Sequence, residues 1–395
     1  MMKKVPFSNL AAALRRPVLI VFCALCALCS ESLGQDFRPV HDGVEYAEVI
    51  RTISGQPVRM NLLRLDLSKV RLDLAHAGNG VIGMEKTSSI ATRTGAVAAI
   101  NAGFFRLDKS KWAGEPVGAF VVDGKVLSEA YSNRIALSIR NRPKATIVSI
   151  DHVNIDGFLT LGKATFFEVG IDRERKPNDL LIYTPEFGPS TLTDDKGLEV
   201  VVADGKIKEI VDGKGDTTIP PNGYVVSVSG IKRDTVLKNA QVGGRPKIQF
   251  LSIAGPTGWK DASEDPSPLN GAEDIVGGVP QLVRNGKVSV TWELEKTSRS
   301  FVDTRHPRTA VAKLKDGKFL MVAVDGRSES SGGIGLFDLA AYLIELGAVD
   351  AMNLDGGGST TMYLDGKVVN HPSDKEGERS VSDAIIVTLR KSEKK

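Results

Sequence analysis

Cysteine is nearly absent from this chain of 395 residues, and its position decides what the absence means. The three cysteines, Cys23, Cys26 and Cys29, all lie in one apolar run near the N-terminus. The sequence after that run therefore offers no disulfide, no thiolate metal ligand and no cysteine nucleophile. A chain without disulfides must be stabilised by its hydrophobic core, and this one is long enough to form a large core.

Clustered histidines and an excess of one charge are also missing. His41, His76, His152 and His371 are scattered without the short spacing of paired zinc ligands, which argues against a zinc site built from histidine. Residues 1–34 contain four basic side chains and one acidic side chain, and the rest of the chain has 47 of each sign. A protein without a basic excess lacks the electrostatic basis for binding nucleic acid or an anionic membrane surface, so we expect neither partner.

Long apolar runs are limited to the N-terminus, where residues 1–34 have the pattern of a secretory signal peptide. Two basic pairs precede the uncharged run VLIVFCALCAL, and the small residues Ser32 and Gly34 follow it. The run is shorter than the ~20 residues that a membrane-spanning helix needs. We expect cleavage after Gly34 and a secreted or periplasmic protein with no integral membrane segment. The alternatives are an uncleaved anchor helix and lipid modification of Cys26 or Cys29.

Helical patterns are scarce, whereas turn signals are frequent. Asp-Gly-Lys or Asn-Gly-Lys occurs six times, and these residues tolerate the positive φ angles of two-residue hairpin turns. Residues 335–346 form the best amphipathic helix pattern, and residues 86–94 form a weaker one. The sequence therefore predicts a β-rich fold of mixed sheets with few helices. The six turns begin at Asp123, Asp204, Asp212, Asn285, Asp316 and Asp365.

The mature sequence is predicted to form one domain over residues 45–390. Residues 145–265 combine apolar segments with Gly, Pro and Asp turns and carry no obvious chemistry, so we interpret them as an embedded β-rich region. Residues 255–274 are polar and rich in Pro and Gly, which predicts a long surface loop. The densest motifs follow this loop.

Two aspartates follow two apolar segments near the C-terminus. Residues 318–324 precede Asp325, residues 349–354 precede Asp355, and the predicted helix lies between the two segments. Strand, helix and strand over this length favour a βαβ crossover, whose parallel strands end at the same edge of the sheet. The aspartates would then stand ~5 Å apart on neighbouring strands, or ~10 Å apart with one strand between them. The alternative, a helix that joins antiparallel strands, would separate them.

The residues around these aspartates suit an anionic ligand. Three glycines at 356–358 leave consecutive N–H groups unshielded by side chains, which is a natural anion cradle. Ser359 and Thr360 add hydroxyl donors. Arg308 and Arg327 carry planar forks of donors that match phosphate. Taken singly, each feature is equally typical of a turn or of a surface side chain.

Several segments together resemble the phosphodiester glycosidase family. They are INAGFF (100–105), GGVPQLVRNGK (277–287), PRTAVA (307–312), VAVDGR (322–327) and, above all, NLDGGGSTTM (353–362). The resemblance spans roughly residues 45–390. It implies an α+β catalytic domain that hydrolyses sugar-1-phosphodiesters, and a place among bacterial exported proteins linked to exopolysaccharide.

The resemblance also implies a set of site residues. One aspartate would act as nucleophile or base while the other orients sugar hydroxyls, Arg308 and the 356–359 backbone would hold phosphate, and Asn101 would bind the sugar. No Glu or Asp in the motifs stands out as a second carboxylate with a raised pKa, which favours leaving groups that depart already charged. His306 has no expected role. The catalytic candidates are Asp325, Asp355 and Arg308, and the substrate-binding candidates are Asn101, Arg327, Gly356, Gly357, Gly358, Ser359 and Thr360.

Two other functions stay open at this point. Asp325 and Asp355 could instead be hard oxygen ligands for Mg²⁺ or Ca²⁺ in a divalent-metal phosphodiesterase. The chain could also be a polysaccharide-binding protein without catalytic activity. The favoured interpretation, hydrolysis of a carbohydrate phosphodiester, calls for no cofactor and no resident metal.

Overall fold

The computed structural model describes residues 36–131, 133–254 and 271–391. The chain divides into two units, Met1–Gln35 and Asp36–Lys395, and every described residue belongs to the second. The expected signal peptide and most of the expected loop at 255–274 therefore lie outside the described residues. No helix within the described ranges is both long and apolar enough to cross a membrane.

Strands dominate the described residues, and the helices are short, so the predicted β-rich α+β fold is confirmed. The helices are α1 (Thr87–Thr94), α2 (Arg233–Asn239), α3 (Arg299–Asp303) and α4 (Leu336–Glu345), with 3₁₀ turns at Ala77–Asn79, Gly230–Lys232 and Gly357–Ser359. The strands are β1 (Arg38–His41), β2 (Val44–Ile53), β3 (Gln56–Leu65), β4 (Val70–His76), β5 (Glu85–Lys86), β6 (Ala98–Asn101), β7 (Phe104–Phe105), β8 (Pro116–Val117), β9 (Phe120–Val122), β10 (Lys125–Ser128), β11 (Ile135–Asn141), β12 (Thr146–Leu161), β13 (Ala164–Phe166), β14 (Gly170–Ile171), β15 (Leu180–Tyr183), β16 (Gly197–Ala203), β17 (Lys206–Asp212), β18 (Gly223–Ser229), β19 (Lys247–Ala254), β20 (Asp274–Gly277), β21 (Gln281–Arg284), β22 (Lys287–Val288), β23 (Arg308–Leu314), β24 (Phe319–Val324), β25 (Ala348–Asn353), β26 (Met362–Leu364), β27 (Lys367–Val368), β28 (Ser380–Val381) and β29 (Asp383–Leu389).

Five of the six predicted hairpin turns join paired antiparallel strands, four of them through a two-residue loop. In β9–β10, β16–β17, β21–β22 and β26–β27, the Asp or Asn of the turn and the following glycine both have positive φ. The Asp316 turn joins the antiparallel strands β23 and β24 through a longer loop, in which Leu314 N donates to Lys318 O. The prediction at Asp212 is wrong, because Asp212 is the last residue of β17. The same dipeptide therefore occurs in loops of different length, because the pairing of the strands decides how long a loop is.

The largest sheet carries both aspartates. Its strand order is β1-β2-β3-β24-β23-β25-β21-β22. Both β24 and β25 pair antiparallel with β23, so they run in the same direction with β23 between them. The predicted crossover with parallel strands is confirmed in its second form, with one intervening strand, and the antiparallel alternative is wrong. Two strand spacings separate the ends of β24 and β25 by ~10 Å.

Both faces of this sheet are covered, which explains its long apolar runs. Every residue of β24 is buried. Phe319 and Met321 face a core that includes residues of β4, β6 and β29, whereas Leu320 and Val322 face the core that contains α4. Burial on both faces fixes the direction and register of β24, and therefore the place where Asp325 leaves it.

The middle of the chain adds two further sheets and a second core. The strand β12 is 16 residues long and pairs with β11 along one half and with β19 and β13 along the other. A five-stranded sheet, β14-β15-β18-β16-β17, follows it. The described part of the predicted region 145–265 is therefore β-rich, with α2 as its one α-helix among the described residues.

Candidate functional site

Three neighbouring strands bring the charged candidates to one edge of the large sheet. Arg308 begins β23 and is paired with Val324, the last residue of β24. Asp325 follows at once, and Asp355 lies two residues beyond the end of β25. The antiparallel middle strand therefore starts where its two neighbours end, and the backbone of Arg308 lies between the ends of the two strands that carry the acids.

Asp325 is enclosed, with 2% of its surface exposed. Its Oδ1 accepts hydrogen bonds from the Asn370 side chain (3.2 Å) and from His371 N (2.9 Å), and its Oδ2 lies 3.2 Å from His371 Nδ1. Burial raises the pKa of Asp325, and the hydrogen bonds from His371 and Asn370 oppose that rise. Both oxygens are occupied by groups of the C-terminal segment, so this carboxyl group has little access to a ligand.

Asn370 ties that C-terminal segment to the glycine-rich loop. Its Oδ1 accepts from Met362 N (2.7 Å), and its Nδ2 donates to Thr360 O (3.0 Å) as well as to Asp325. Thr360 itself is buried, and its Oγ1 accepts from the Thr309 hydroxyl (3.2 Å). Thr360 therefore holds the loop in place, although the sequence had suggested a hydroxyl that faces substrate.

Asp355 is partly exposed as a residue, whereas Asp325 is buried, although the carboxyl group of Asp355 is desolvated. Desolvation raises its pKa to about 7, opposed by a hydrogen bond from Ser359, by the charge of Arg379 and by the N–H of Gly356. The nearby Asp383 carboxyl raises the pKa further. The sequence-based view that no carboxyl group here has a raised pKa is therefore wrong, since the shift depends on burial that a motif does not reveal.

A third acid, Asp383, lies behind Asp355. It is buried, it accepts a hydrogen bond from Gly103 N (2.6 Å) and one from the Ser382 hydroxyl, and burial raises its pKa to about 6. A Cβ on Gly103 would come within 3.1 Å of the Asp383 carboxyl. The glycine of INAGFF therefore lets the backbone approach this acid.

Asn101 lies beneath the glycine-rich loop and is fully buried. Its Nδ2 donates to Asp355 O (2.7 Å), and its Oδ1 accepts from Thr361 N (3.0 Å) and from the Thr309 hydroxyl (2.9 Å). These bonds fix the backbone on both sides of the loop. The placement favours a positioning role for Asn101 over contact with a sugar.

The glycines at 356–358 allow close packing. A Cβ on Gly356 would lie 2.8 Å from Pro307 O, and one on Gly358 would lie 2.2 Å from both Arg379 Nη2 and Asp374 Oδ1. The N–H groups of Gly357, Ser359 and Thr360 donate to carbonyl groups within this loop or to Pro307 O. The Gly356 N–H bonds the Asp355 carboxyl group and the Gly357 N–H donates to Pro307 O, so the predicted row of consecutive free N–H groups is not formed.

Ser359 is buried in the same loop. Its hydroxyl group bonds the Asp355 carboxyl and lies 3.5 Å from Arg379 Nη1. Ser359 thus joins the acid to an arginine that the sequence did not single out.

Arg308 is buried between backbone carbonyl groups. Its Nη2 donates to Phe301 O (2.6 Å) and Thr304 O (2.8 Å), its Nε donates to Ile334 O (3.3 Å), and the guanidinium lies 5.0 Å from the centre of the Phe301 ring. Burial and the nearby charge of Arg327 lower its pKa to about 10. Most of its donors therefore organise the chain around the site.

Arg327 is the exposed cation of the site. It has a positive φ of 61°, its Nη1 donates to Ser373 Oγ (3.2 Å), and its Nη2 would be 3.0 Å from a Cβ on Gly357. Burial lowers the pKa of His306, and the nearby charges of Arg308 and Arg327 lower it further. His306 Nδ1 is buried and finds no hydrogen-bond partner among the described residues.

Arg379 supplies a further cation beside Asp355. Its Nε and Nη2 form a two-pronged ion pair with Asp374, at 2.7 and 3.0 Å. The pair packs directly on Gly358. One face of the glycine-rich loop is therefore lined by a fixed ion pair.

Sequence reasoning missed five of the groups that meet here: Asn370, His371, Asp374, Arg379 and Asp383. They lie in the stretch NHPSDKEGERSVSD, which follows the β26–β27 hairpin. Its density of polar residues just after a short hairpin was the available signal. Within the described ranges, no three His, Cys, Asp or Glu side chains converge as metal ligands.

Residues 196–388 match the family model described as phosphodiester glycosidase, which confirms the resemblance drawn from the motifs. The mouse N-acetylglucosamine-1-phosphodiester alpha-N-acetylglucosaminidase is 33% identical over 162 residues, which are 39% of this chain and 29% of that protein. An uncharacterised Rickettsia conorii protein is 27% identical over 250 residues, 60% of this chain and 77% of that protein. The chain spans less than a third of the length of its mouse, bovine and human relatives.

Two solved structures share the fold. A hypothetical protein from Synechocystis superposes with a TM-score of 0.75 at 23% identity, over 90% of this chain and 63% of that one. A Burkholderia pseudomallei protein, whose name proposes that it is exported, superposes with a TM-score of 0.71 at 26% identity, over 84% of this chain and 74% of that one.

Proposed function

We propose that this chain hydrolyses sugar-1-phosphodiester linkages, and that it does so after export, on an envelope or extracellular polysaccharide or a glycoconjugate. The family match over residues 196–388 supports the reaction class. The signal-peptide pattern of residues 1–34 supports a secreted or periplasmic location. One observation carries the proposal: Asp355, a partly exposed residue whose desolvated carboxyl group has a pKa of about 7, lies beside Arg379 at one sheet edge.

Asp355 is suited to act as the general acid. A carboxyl group with a pKa of about 7 is largely protonated up to neutral pH, so it can donate its proton to the oxygen that leaves the anomeric carbon. Ser359 and Arg379 hold its position and oppose a larger rise in its pKa. Once the proton has left, the charge of Arg379 stabilises the carboxylate.

The arginines divide the remaining work. Arg327 is exposed at the mouth of the site and presents donors for a phosphate group. Arg308 donates through Nε and Nη2 to backbone carbonyl groups and so fixes the chain that forms the wall of the site. A phosphate held this way leaves as a phosphomonoester whose charge is matched by fixed cations.

The reaction is tested by incubating the chain with a panel of sugar-1-phosphodiesters in ¹⁸O-labelled water. Cleavage of the C–O bond places the label in the sugar and supports the proposal. Label in the phosphate, together with loss of activity on chelation, would instead identify a divalent-metal phosphodiesterase. Tight glycan binding with no turnover of any substrate would identify a binding protein.

Recognition of phosphate is tested by comparing kcat/KM for a sugar-1-phosphodiester with kcat/KM for the matching methyl glycoside. The wild type should prefer the phosphodiester. Arg327→Ala should lose most of that preference, and Arg327→Lys should recover little of it, because a point charge does not replace a planar fork. Arg233→Ala, which removes an exposed arginine paired with Asp212 and Asp234, is the control and should keep the preference. An unchanged ratio in Arg327→Ala would contradict this assignment.

A further inference from the structure

The Asp325 carboxyl group is enclosed, but the imidazole that contacts it is not. Asp325 has 3% of its side chain exposed, whereas His371 has 72% exposed, and the two side chains meet at Oδ2 and Nδ1 over 3.2 Å. A buried carboxylate that contacts the inner nitrogen of an exposed imidazole fixes the ring orientation and its tautomer. With the proton on Nδ1, the outer nitrogen, Nε2, is left as an acceptor.

The pair is held from both sides. On the carboxyl side, Asn370 and the backbone N–H of His371 occupy Oδ1, which leaves Oδ2 for the ring. On the histidine side, Pro372 restricts the backbone of the preceding residue to extended conformations. The geometry of the pair is therefore set by the fold.

A second contact joins the segment that carries His371 to the segment that carries Arg327. Arg327, two residues after Asp325, donates to the hydroxyl group of Ser373, two residues after His371. The segments that follow β24 and β27 are thus joined at two points. His371 lies on the same edge as the exposed guanidinium of Arg327 and the glycine-rich loop beneath it.

We propose that His371 is the general base of the reaction and that Asp325 is its positioning residue. This inference rests on the proposed function. His371 Nε2 takes a proton from a water molecule, the water oxygen bonds to the anomeric carbon, and the bond from that carbon to the phosphate oxygen breaks. The electron pair leaves on the phosphate oxygen, which receives the Asp355 proton, and the imidazolium then returns a proton to Asp355 through solvent.

The other candidates for the base are less suitable. Asp325 has both oxygens engaged and almost no exposed surface. His306 has a buried Nδ1 with no partner among the described residues, and two nearby arginines oppose the positive charge that a base must accept. The exposed imidazole of His371, backed by an anion, has both access and a counter-charge.

The chain contains a matched control for the test. His41 forms the same kind of contact with Asp365, with Nε2 and Oδ1 2.7 Å apart, on β1 and the β26–β27 turn. Neither residue belongs to the site described above. Replacing His41 with Gln removes an equivalent histidine–aspartate pair without touching the proposed machinery.

The experiment measures kcat and KM on a sugar-1-phosphodiester for wild type, His371→Gln, Asp325→Asn, the double variant and His41→Gln. His371→Gln should lower kcat ~100-fold or more with KM little changed, which is the range of general-base catalysis. The double variant should be about as slow as the slower single variant, because the two residues act as one unit. His41→Gln should keep wild-type kcat.

Chemical rescue separates catalysis from structure. His371→Ala with added imidazole should recover at least tenfold in kcat, whereas Asp325→Asn, which still carries His371, should not respond. An active wild type whose His371→Gln variant keeps a third or more of its kcat would overturn this inference alone. The inference is also overturned if the losses in kcat of the two single variants multiply in the double variant. The same holds if His371→Ala folds but imidazole does not restore its kcat. A wild type with no activity on any sugar-1-phosphodiester would overturn the proposed function, and this inference with it.

Discussion

Two aspartates with the same sequence context differ because their surroundings differ. Each follows an apolar strand and precedes a glycine, so the sequence treats them alike. In the structure, Asp325 is enclosed by donors, while Asp355 is partly exposed and has a pKa of about 7. Exposure and hydrogen bonding, rather than residue type, support the two proposed roles, positioning for Asp325 and proton transfer for Asp355.

Replacing Asp355 with Asn should therefore remove the proton donor and leave the fold intact. We expect kcat at pH 7 to fall to less than a tenth, because the amide has no proton to donate. Wild-type activity should decline as pH rises through about 7, since the acid must be protonated, with Asp383 and Arg379 as the charges that face it. The Asp355→Asn variant should not show this decline in activity at alkaline pH. Measuring kcat from pH 5 to 9 for both proteins tests this.

The opposite result is equally clear for Asp355. A variant that keeps more than a tenth of kcat differs from wild type by under ~1.4 kcal/mol of barrier. An unchanged alkaline limb in that variant would assign the titration to another group. Either outcome would make Asp355 a turn residue.

Asp274, a buried acid away from the site, allows a prediction about the stability of the protein. Asp274 is 2% exposed, accepts from Leu74 N and Asp123 N, and has a pKa raised to about 7 by burial. A raised pKa in the folded state stabilises the protein below the unfolded value of ~3.9, and this stabilisation is lost as pH rises towards 7. Wild type should therefore lose stability relative to Asp274→Asn between pH 5 and pH 8.

The expected change is on the order of 2 kcal/mol in the difference between the two free energies of unfolding. Urea unfolding of both proteins at pH 5 and pH 8 measures it, and the comparison cancels the other titrating groups. The cost of Asp274→Asn should be larger at pH 5. An equal cost at both pH values would show that Asp274 titrates normally.

At the scale of elements, the glycine-rich loop works by packing. Its N–H groups are used within the chain, and Gly358 leaves room for the ion pair of Arg379 and Asp374. Ser359 contacts both Arg379 and Asp355, so the position of the ion pair affects the position of Asp355.

Gly358→Ala tests this packing. The new Cβ would lie 2.2 Å from both members of the ion pair, so the pair must move, and we expect kcat/KM to drop at least tenfold. Gly286→Ala is the control, because its Cβ would meet nothing within 4 Å although φ is +69°. That change should cost about 1 kcal/mol of stability and leave kcat/KM unaltered. Equal activity losses in both variants would contradict the packing argument.

At the scale of the whole molecule, the prediction concerns export. The basic, apolar and small-residue pattern of residues 1–34 predicts cleavage after Gly34. The mature chain should begin at Gln35 and contain no thiol, since the three cysteines are removed. Intact-mass measurement on protein from the native host checks this. A mass that retains Met1 or includes an acyl chain would favour the anchor or the lipid-modified alternative.

The sequence by itself determined what depends on local pattern. The apolar run of β24, the helix α4 and the apolar run of β25 identified a crossover, and the handedness and length rules for such units placed Asp325 and Asp355 at one edge. Asp-Gly and Asn-Gly identified four two-residue hairpin turns correctly, because a positive φ is a property of the residue pair. The family motifs pointed to the family model that residues 196–388 match.

Only the tertiary structure decided which groups meet. His371 contacts Asp325 across 46 positions, and Gly103 contacts Asp383 across 280, and no periodicity in the sequence encodes such distances. The pKa of Asp355 and the engagement of Arg308 with carbonyl groups follow from burial, which is a property of the packed chain. Chemistry at this edge therefore depends on long-range contacts, because desolvation and hydrogen-bond geometry exist only once the strands have assembled.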